Sequence, residues 1–187
     1  MITRSLGILL FSLNLSAVQS NQQSTGGNTG IVYGSHHAFM LSAPEGWVLD
    51  NSSGVSQGVY AVFYPKGGSW EKSPVVMYAN TTSRQEEGNE TVQKVIAFDT
   101  QKFRSEHPDI VVGDLPSLAT KDHKSAIVKT FFYSQYEAVA YIEEETIVSM
   151  LVITARTKQQ FEQSRSAFEQ LVASYQFLTT DVRSDQN

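Results

Sequence analysis

Residues 125–134, 137–143 and 146–155 form three segments dense in Val, Ile, Tyr and Phe. β-Branched and aromatic residues at this density point to strands. The acidic run Glu143, Glu144 and Glu145 lies between the last two, where a tight reversal would pair them antiparallel. In strand geometry Val128, Thr130 and Phe132 project to one face, and Ile127, Phe131 and Tyr133 to the other. A sheet that is apolar on both faces must be covered on both, and this requirement limits the fold more than any other feature of the chain.

Two segments of helical period can supply the cover. Thr157 followed three residues later by Gln160 has the form of a capping box. Behind it Phe161, Phe168, Leu171, Val172 and Tyr175 make one apolar stripe, so a helix is expected over residues 158–175. In the earlier segment Asn89 is placed to cap a helix with Val92, Val95, Ile96 and Phe103 on one face, ending before Pro108. Residues 109–112 read as extended and 113–116 as a turn. Upstream, residues 37–42, 47–50, 59–64 and 75–81 alternate like short strands, separated by clusters of Pro, Gly, Asn and Ser. The order strands, helix, strands, helix disfavours parallel crossovers. The expected class is α+β, an α/β/α sandwich with a central antiparallel sheet covered by helices.

The chain's 187 residues suit a single domain, expected at 31–179. Ahead of it residues 1–20 read as a signal peptide. Arg4 gives a small basic start, an apolar run follows, and cleavage is expected after Ser20 or, as the alternative, Ala17. Residues 21–30 (NQQSTGGNTG) read as a flexible linker and 180–187 as a disordered tail. No later stretch is long and apolar enough for a transmembrane helix. An exported protein, periplasmic or extracellular, is the expectation.

Composition closes several chemistries. The absence of cysteine removes disulfides, thiolate metal sites, a lipid-modified cysteine and a cysteine nucleophile. Lys and Arg number 14 against 19 Asp and Glu, a formal −5, and the cations are scattered singly, so nucleic acid is not an expected partner. The Gly-x-Ser-x-Gly elbow of hydrolases and the P-loop order are both missing. Four histidines offer little for a metal: His36 and His37 are adjacent and would face opposite ways on a strand. His107, with Glu106 and Asp109, fits a helix C-terminus, and His123 sits in a polar loop. No cofactor, metal site or catalytic residue is expected. The sequons at Asn51, Asn80 and Asn89 matter only in a glycosylating secretory pathway.

The residues also resemble a known family. Residues 39–47 (FMLSAPEGW) form an extended apolar segment ending in Pro-x-Gly-Trp. Near the other end, residues 136–141 (YEAVAY), an acidic turn, residues 148–155 (VSMLVITA) and a capped helix running to Phe177 follow in order. Together these resemble the PsbP-like superfamily. It includes the extrinsic subunit of the oxygen-evolving complex, DcrB-like periplasmic proteins and a Ran-binding nuclear-import factor. The resemblance spans most of residues 31–179 and implies an α/β/α sandwich that serves as an accessory or adaptor subunit, with no shared catalytic centre to carry over.

Two features offer surface for such a role. Trp70 lies in a polar, turn-rich segment (KGGSWEKS), where an indole can serve as an interface anchor or fold back over the sheet edge. Glu143, Glu144 and Glu145 read as a solvated hairpin tip that could attract a basic partner. Trp47 is assigned to packing. The expected function is that of a non-enzymatic accessory or adaptor protein binding a protein partner. The alternatives are a small-molecule or ion binder using a cleft between sheet and helix, and a secreted hydrolase.

Overall fold

A computed structural model describes residues 28–182. The expected signal peptide, linker residues 21–27 and tail residues 183–187 lie outside the described residues. In chain order the elements are β1 (Thr29–Gly34), β2 (His37–Ser42), β3 (Trp47–Asp50), β4 (Ala61–Pro65), β5 (Val75–Ser83), α1 (Val92–Glu106), β6 (Val111–Ala119), β7 (Ser125–Phe132), β8 (Tyr136–Glu143), β9 (Ile147–Ala155), α2 (Lys158–Ser174) and β10 (Gln176–Thr179). A short 3-10 turn, Val55–Gln57, precedes β4.

The strands form a seven-stranded sheet in the order β3-β4-β5-β9-β8-β7-β6 and a three-stranded sheet in the order β1-β2-β10, every pairing antiparallel. β9 occupies the middle of the larger sheet, paired with β5 and β8, and is buried at all nine positions. This is why its sequence reads as a continuous apolar run rather than an alternation.

The two faces are covered as the strand pattern requires. On one, Leu151, Ile153, Val128 and Ala140 pack beneath α2, whose Phe161, Phe168, Leu171 and Val172 are buried, with Phe39 and Leu41 of the small sheet extending the cover. On the other, Val139, Tyr141, Met150 and Val152 meet α1 through Val92, Val95 and Phe103. Phe103 stacks on Phe131 with ring centroids 4.3 Å apart. The result is the expected α+β sandwich, with its strongest helix lying on the sheet as its periodicity demands.

Details depart from the sequence pattern where long-range partners decide. Residues 29–30 are already in β1, paired with Leu41 and Ser42 of β2 across a tight hairpin, although their composition suggests a linker; the ladder to the neighbouring strand orders them, and composition does not register it. Residues 176–179, beyond the expected helix, form β10 on β2, which with β1 makes a second sheet that the local pattern does not announce. The turn expected at 113–116 lies inside β6, where Pro116 sits in a register shift between Leu115 and Leu118. An edge strand tolerates proline there because the outward side needs no ladder donor. The α1 cap is Thr91, not Asn89: the Thr91 hydroxyl accepts from Lys94 N at 3.3 Å, while the Asn89 amide donates to Thr82 Oγ1 at 3.0 Å. At α2 the Thr157 hydroxyl accepts from Gln160 N at 3.3 Å. The reciprocal half of that capping box is not made, since Gln160 Oε1 is buried without a partner.

Candidate functional site

The partner-binding candidates do not converge. Trp70 is only 2% exposed, its ring edge-on to Tyr78 at 5.9 Å, so it is a core residue and not a surface anchor. The loop is pinned by Ser73 N donating to Ser69 O at 3.0 Å and Ser69 N donating to Ser73 Oγ at 3.1 Å, and Gly67 takes a φ of 81°. These bonds tie the loop across its own base and turn the indole onto the α1 face of the sheet. Trp47, as expected, is buried.

The acidic run is split. Glu143 pairs with Arg84 at 2.9 Å, Glu145 is exposed, and Glu144 is buried, bonded to Lys124 Nζ and accepting from the Tyr175 hydroxyl at 3.2 Å. Burial pushes the Glu144 carboxyl above its ordinary range, and Lys124 opposes that rise. Glu144 is therefore a structural residue under the hairpin rather than part of a solvated tip. The run and the Trp70 loop sit at opposite ends of β9, roughly 25 Å apart at about 3.3 Å per residue.

Sequence reasoning missed a polar cluster between α1 and the sheet. Asp99 and Glu137 are each 2% exposed. The Tyr141 hydroxyl donates to Asp99 Oδ2 at 2.9 Å, and the Tyr133 hydroxyl donates to Glu137. Asp99 Oδ1 meets no donor. It borders a cavity of about 20 Å³, whose lining includes Tyr78, Asn80 and Glu137, room for one water. Desolvation raises Asp99 to about 6, with the Tyr141 bond and Lys102 opposing. It raises Glu137 to about 7, with the Tyr133 bond opposing. Both carboxyls thus change charge near neutrality instead of remaining ionised. A signal existed for each. Asp99 falls four residues after Val95 and four before Phe103, within the apolar stripe, and Glu137 shares a strand face with Val139 and Tyr141.

Tyr133 joins this cluster to a surface groove of about 610 Å³ at the end of the sheet. The groove runs between the C-terminus of α1 and the start of β6, with Phe132, Tyr133 and Tyr136 among its aromatic lining and Lys158 also in its lining. His107 stacks on Tyr133 at 4.0 Å and closes α1 as its C-cap, the role its position suggested. Val111, where β6 begins, is 65% exposed, the most exposed of the large hydrophobic residues among those described. Among the described residues no three His, Asp or Glu side chains gather as metal ligands would.

No family model and no curated protein sequence matches the chain. Solved structures do. LpqN of Mycobacterium tuberculosis, described as involved in cell envelope biogenesis, superposes with a TM-score of 0.52 at 15% identity, over 85% of this chain and 90% of its own. Cyanobacterial PsbP (CyanoP) of Synechocystis sp. PCC 6803 gives 0.48 at 11% identity, over 86% and 99%. The chain shares the fold of LpqN. A protein of Bacteroides thetaiotaomicron VPI-5482 gives 0.41 at 10% identity over 87% of this chain and 51% of that one. At these identities the likeness concerns architecture, and what each of these proteins does remains its own.

Proposed function

We propose that this chain is an exported accessory protein, working outside the cytoplasm, that binds a protein partner at the groove between α1 and β6. The observation that carries the reading is the groove itself: an open concavity of about 610 Å³ with an aromatic lining, beside Val111 at 65% exposure. Clustered aromatic and apolar surface beside polar groups is the usual composition of an interface core. The leader pattern of residues 1–20 supports export, as does the kinship of fold with LpqN, a protein of cell envelope biogenesis. No helix among the described residues is long and apolar enough to cross a membrane. In this reading the leader is removed, a short linker follows, and one domain carries the function.

The test is a photo-cross-linking amino acid placed at exposed Ser134 in the groove lining, with Lys66 as the control position, in cells producing the protein at native level. A discrete heavier adduct from Ser134 and none from Lys66 is the expected result. Equal or absent adducts at both positions would remove the reading.

A further inference from the structure

We infer that the open edge of β6 over residues 111–115 is a strand-addition site for an extended, basic segment of the partner, whose apolar side chains seat in the adjoining groove. The inference rests on the partner-binding reading above and specifies its chemistry.

The two edges of the seven-stranded sheet are treated differently. At β3 the side-chain amide of Asn28 donates to Trp47 O at 2.5 Å, and Asn28 Oδ1 accepts from Leu49 N at 3.2 Å. A single side chain therefore occupies the position of a neighbouring peptide group and closes that edge to a further strand. At β6 no strand among the described residues lies outside, and its register with β7 runs unbroken from Val111 opposite Phe132 to Leu115 opposite Val128. Beyond that the register shifts around Pro116, which has no N–H to offer. The bulge and the proline blunt the far half of the edge, as native sheets commonly do. Residues 111–115 remain regular, a window of roughly 16 Å.

The groove and the charges select what can pair there. Val111 and Ile110 border the aromatic lining, so a strand laid along the edge brings its side chains over an apolar hollow. Glu106 and Asp109 line the same groove; Asp114, in the window, has its side chain 72% exposed and is paired with Lys129 Nζ at 2.6 Å, so the selecting charge comes chiefly from Glu106 and Asp109. Lys158 is the one Lys or Arg in the lining. With the chain at a formal −5, a segment bearing Lys or Arg is favoured over an acidic one. The two edge strands of the small sheet, β1 (TGIVYG) and β10 (QFLT), contain no charged residue, so they lack this selection. Main-chain pairing then supplies affinity, and the groove and carboxylates supply preference.

The probe is a fluorescein-labelled decapeptide of alternating lysine and valine, titrated into the full chain by anisotropy and mapped by hydrogen exchange. Its counterparts are the same peptide N-methylated on the amides of one edge at a time, and a glutamate–valine version. Binding is expected with exchange protection gained at residues 111–115. N-methylation of the paired edge removes one or two hydrogen bonds and is expected to weaken binding about tenfold or more. The glutamate peptide is expected to bind more weakly, and added salt to narrow the difference. Val112→Pro should abolish binding; because proline within β6 can also unfold it, the N-methylated peptides provide the decisive comparison on an unaltered protein.

Equal binding of parent and both N-methylated peptides would overturn the inference, as would protection at β1 or no binding by any peptide. A concentration-dependent dimer with protection at residues 111–115 would identify a second copy as the occupant and overturn it too. The outcomes separate from the broader reading. Cross-links from Ser134 with failed peptides retain a partner and remove strand addition. Peptide pairing at β6 without cross-links retains the edge and removes the partner.

Discussion

Lys124 and Glu144 show how much one position depends on its surroundings. Glu144 is enclosed beneath the β8–β9 reversal, yet Lys124 keeps about 40% of its side chain in solvent. A pair of this kind differs from a surface ion pair because removing the exposed partner leaves a buried carboxyl behind. Tyr175 donates to Glu144 at 3.2 Å and contacts Ser149 Oγ at 3.0 Å, so the residual charge would still have one donor. Lys124→Met is expected to cost about 1–3 kcal/mol, the scale of one under-satisfied buried polar group. Urea titration at pH 7 and again at pH 4 checks it. The deficit should shrink at the lower pH, where Glu144 is protonated and no longer needs its cation. A deficit independent of pH would assign Lys124 a packing role through its stem. At the same scale Trp70→Ala is expected to cost about 3–5 kcal/mol, as for a buried aromatic truncation, and to leave Ser134 cross-linking intact under conditions where the variant remains folded. A surface anchor would show the reverse pattern, with stability retained and adducts lost.

At the scale of elements, α1 offers the sharpest discrimination between sequence and structure. Both Asn89 and Thr91 are residue types that cap helices, and spacing alone does not choose between them. The structure makes Thr91 the acceptor for Lys94 N, with an extended φ of −137°, while Asn89 spends its amide on Thr82. Thr91→Ala is therefore expected to lose about 1 kcal/mol, with loosened exchange in the first turn of α1. Asn89→Ala should cost less and leave that turn protected; the opposite ranking in thermal denaturation would reassign the cap. Strands legible in sequence, β8 and β9 above all, carry their apolar signal within themselves because they are buried on both faces, and β7 does so with one face buried and the other half-buried. β1 and β10 are not legible in sequence: β1 opens on a Thr-Gly pair that reads as linker although it forms a hairpin with β2, and the ladder of β10 depends on β2 from the far end of the chain. The same holds for the site. Val111 and the aromatic residues of the groove are ordinary strand formers in sequence, and only the ending of the sheet at β6 makes a concavity of them. Trp70 leaves two readings open in sequence because its neighbours are polar, and the Ser69–Ser73 bonds that close the loop and turn the indole inward have no signature in hydrophobic pattern.

For the molecule as a whole, the carboxyls under α1 link folding to pH. Asp99 is raised to about 6 and Glu137 to about 7 by burial, whereas both titrate near 4 in an unfolded chain. Between those values the folded state binds more protons than the unfolded one, so the contribution of this pair to stability falls as pH rises. It is fully present below about pH 4, declines through the folded-state values, and is lost above about pH 7. The groups facing the pair are Tyr78 from β5, Tyr141 from β8, Lys102 from α1 itself and Tyr133 at the turn between β7 and β8, with Glu106 and His107 near Tyr133. The tyrosines are held neutral by burial, which leaves Lys102 as the cation acting on Asp99. At about 1.4 kcal/mol per pKa unit, each acid accounts for up to ~3 kcal/mol across that window. Carboxylates stabilised in their ionised form work the other way. Asp50 is held below the usual range by hydrogen bonds from Ser53 and Ser52, so its contribution is lost on acidification. The total profile is consequently a poor readout, and the comparison has to be between proteins. In Asp99→Asn the Tyr141 bond can persist on the amide oxygen, and Glu137→Gln can likewise accept from Tyr133. The double variant is expected to gain stability relative to the unaltered chain as pH rises from 4 to 8, by several kcal/mol at most. Exchange protection in α1 should follow the same difference, because the acids lie between that helix and the sheet. Parallel stability curves across this range would mean that both carboxyls ionise normally in the fold, through water reaching the cavity under α1, and the link between helix seating and protonation would be gone.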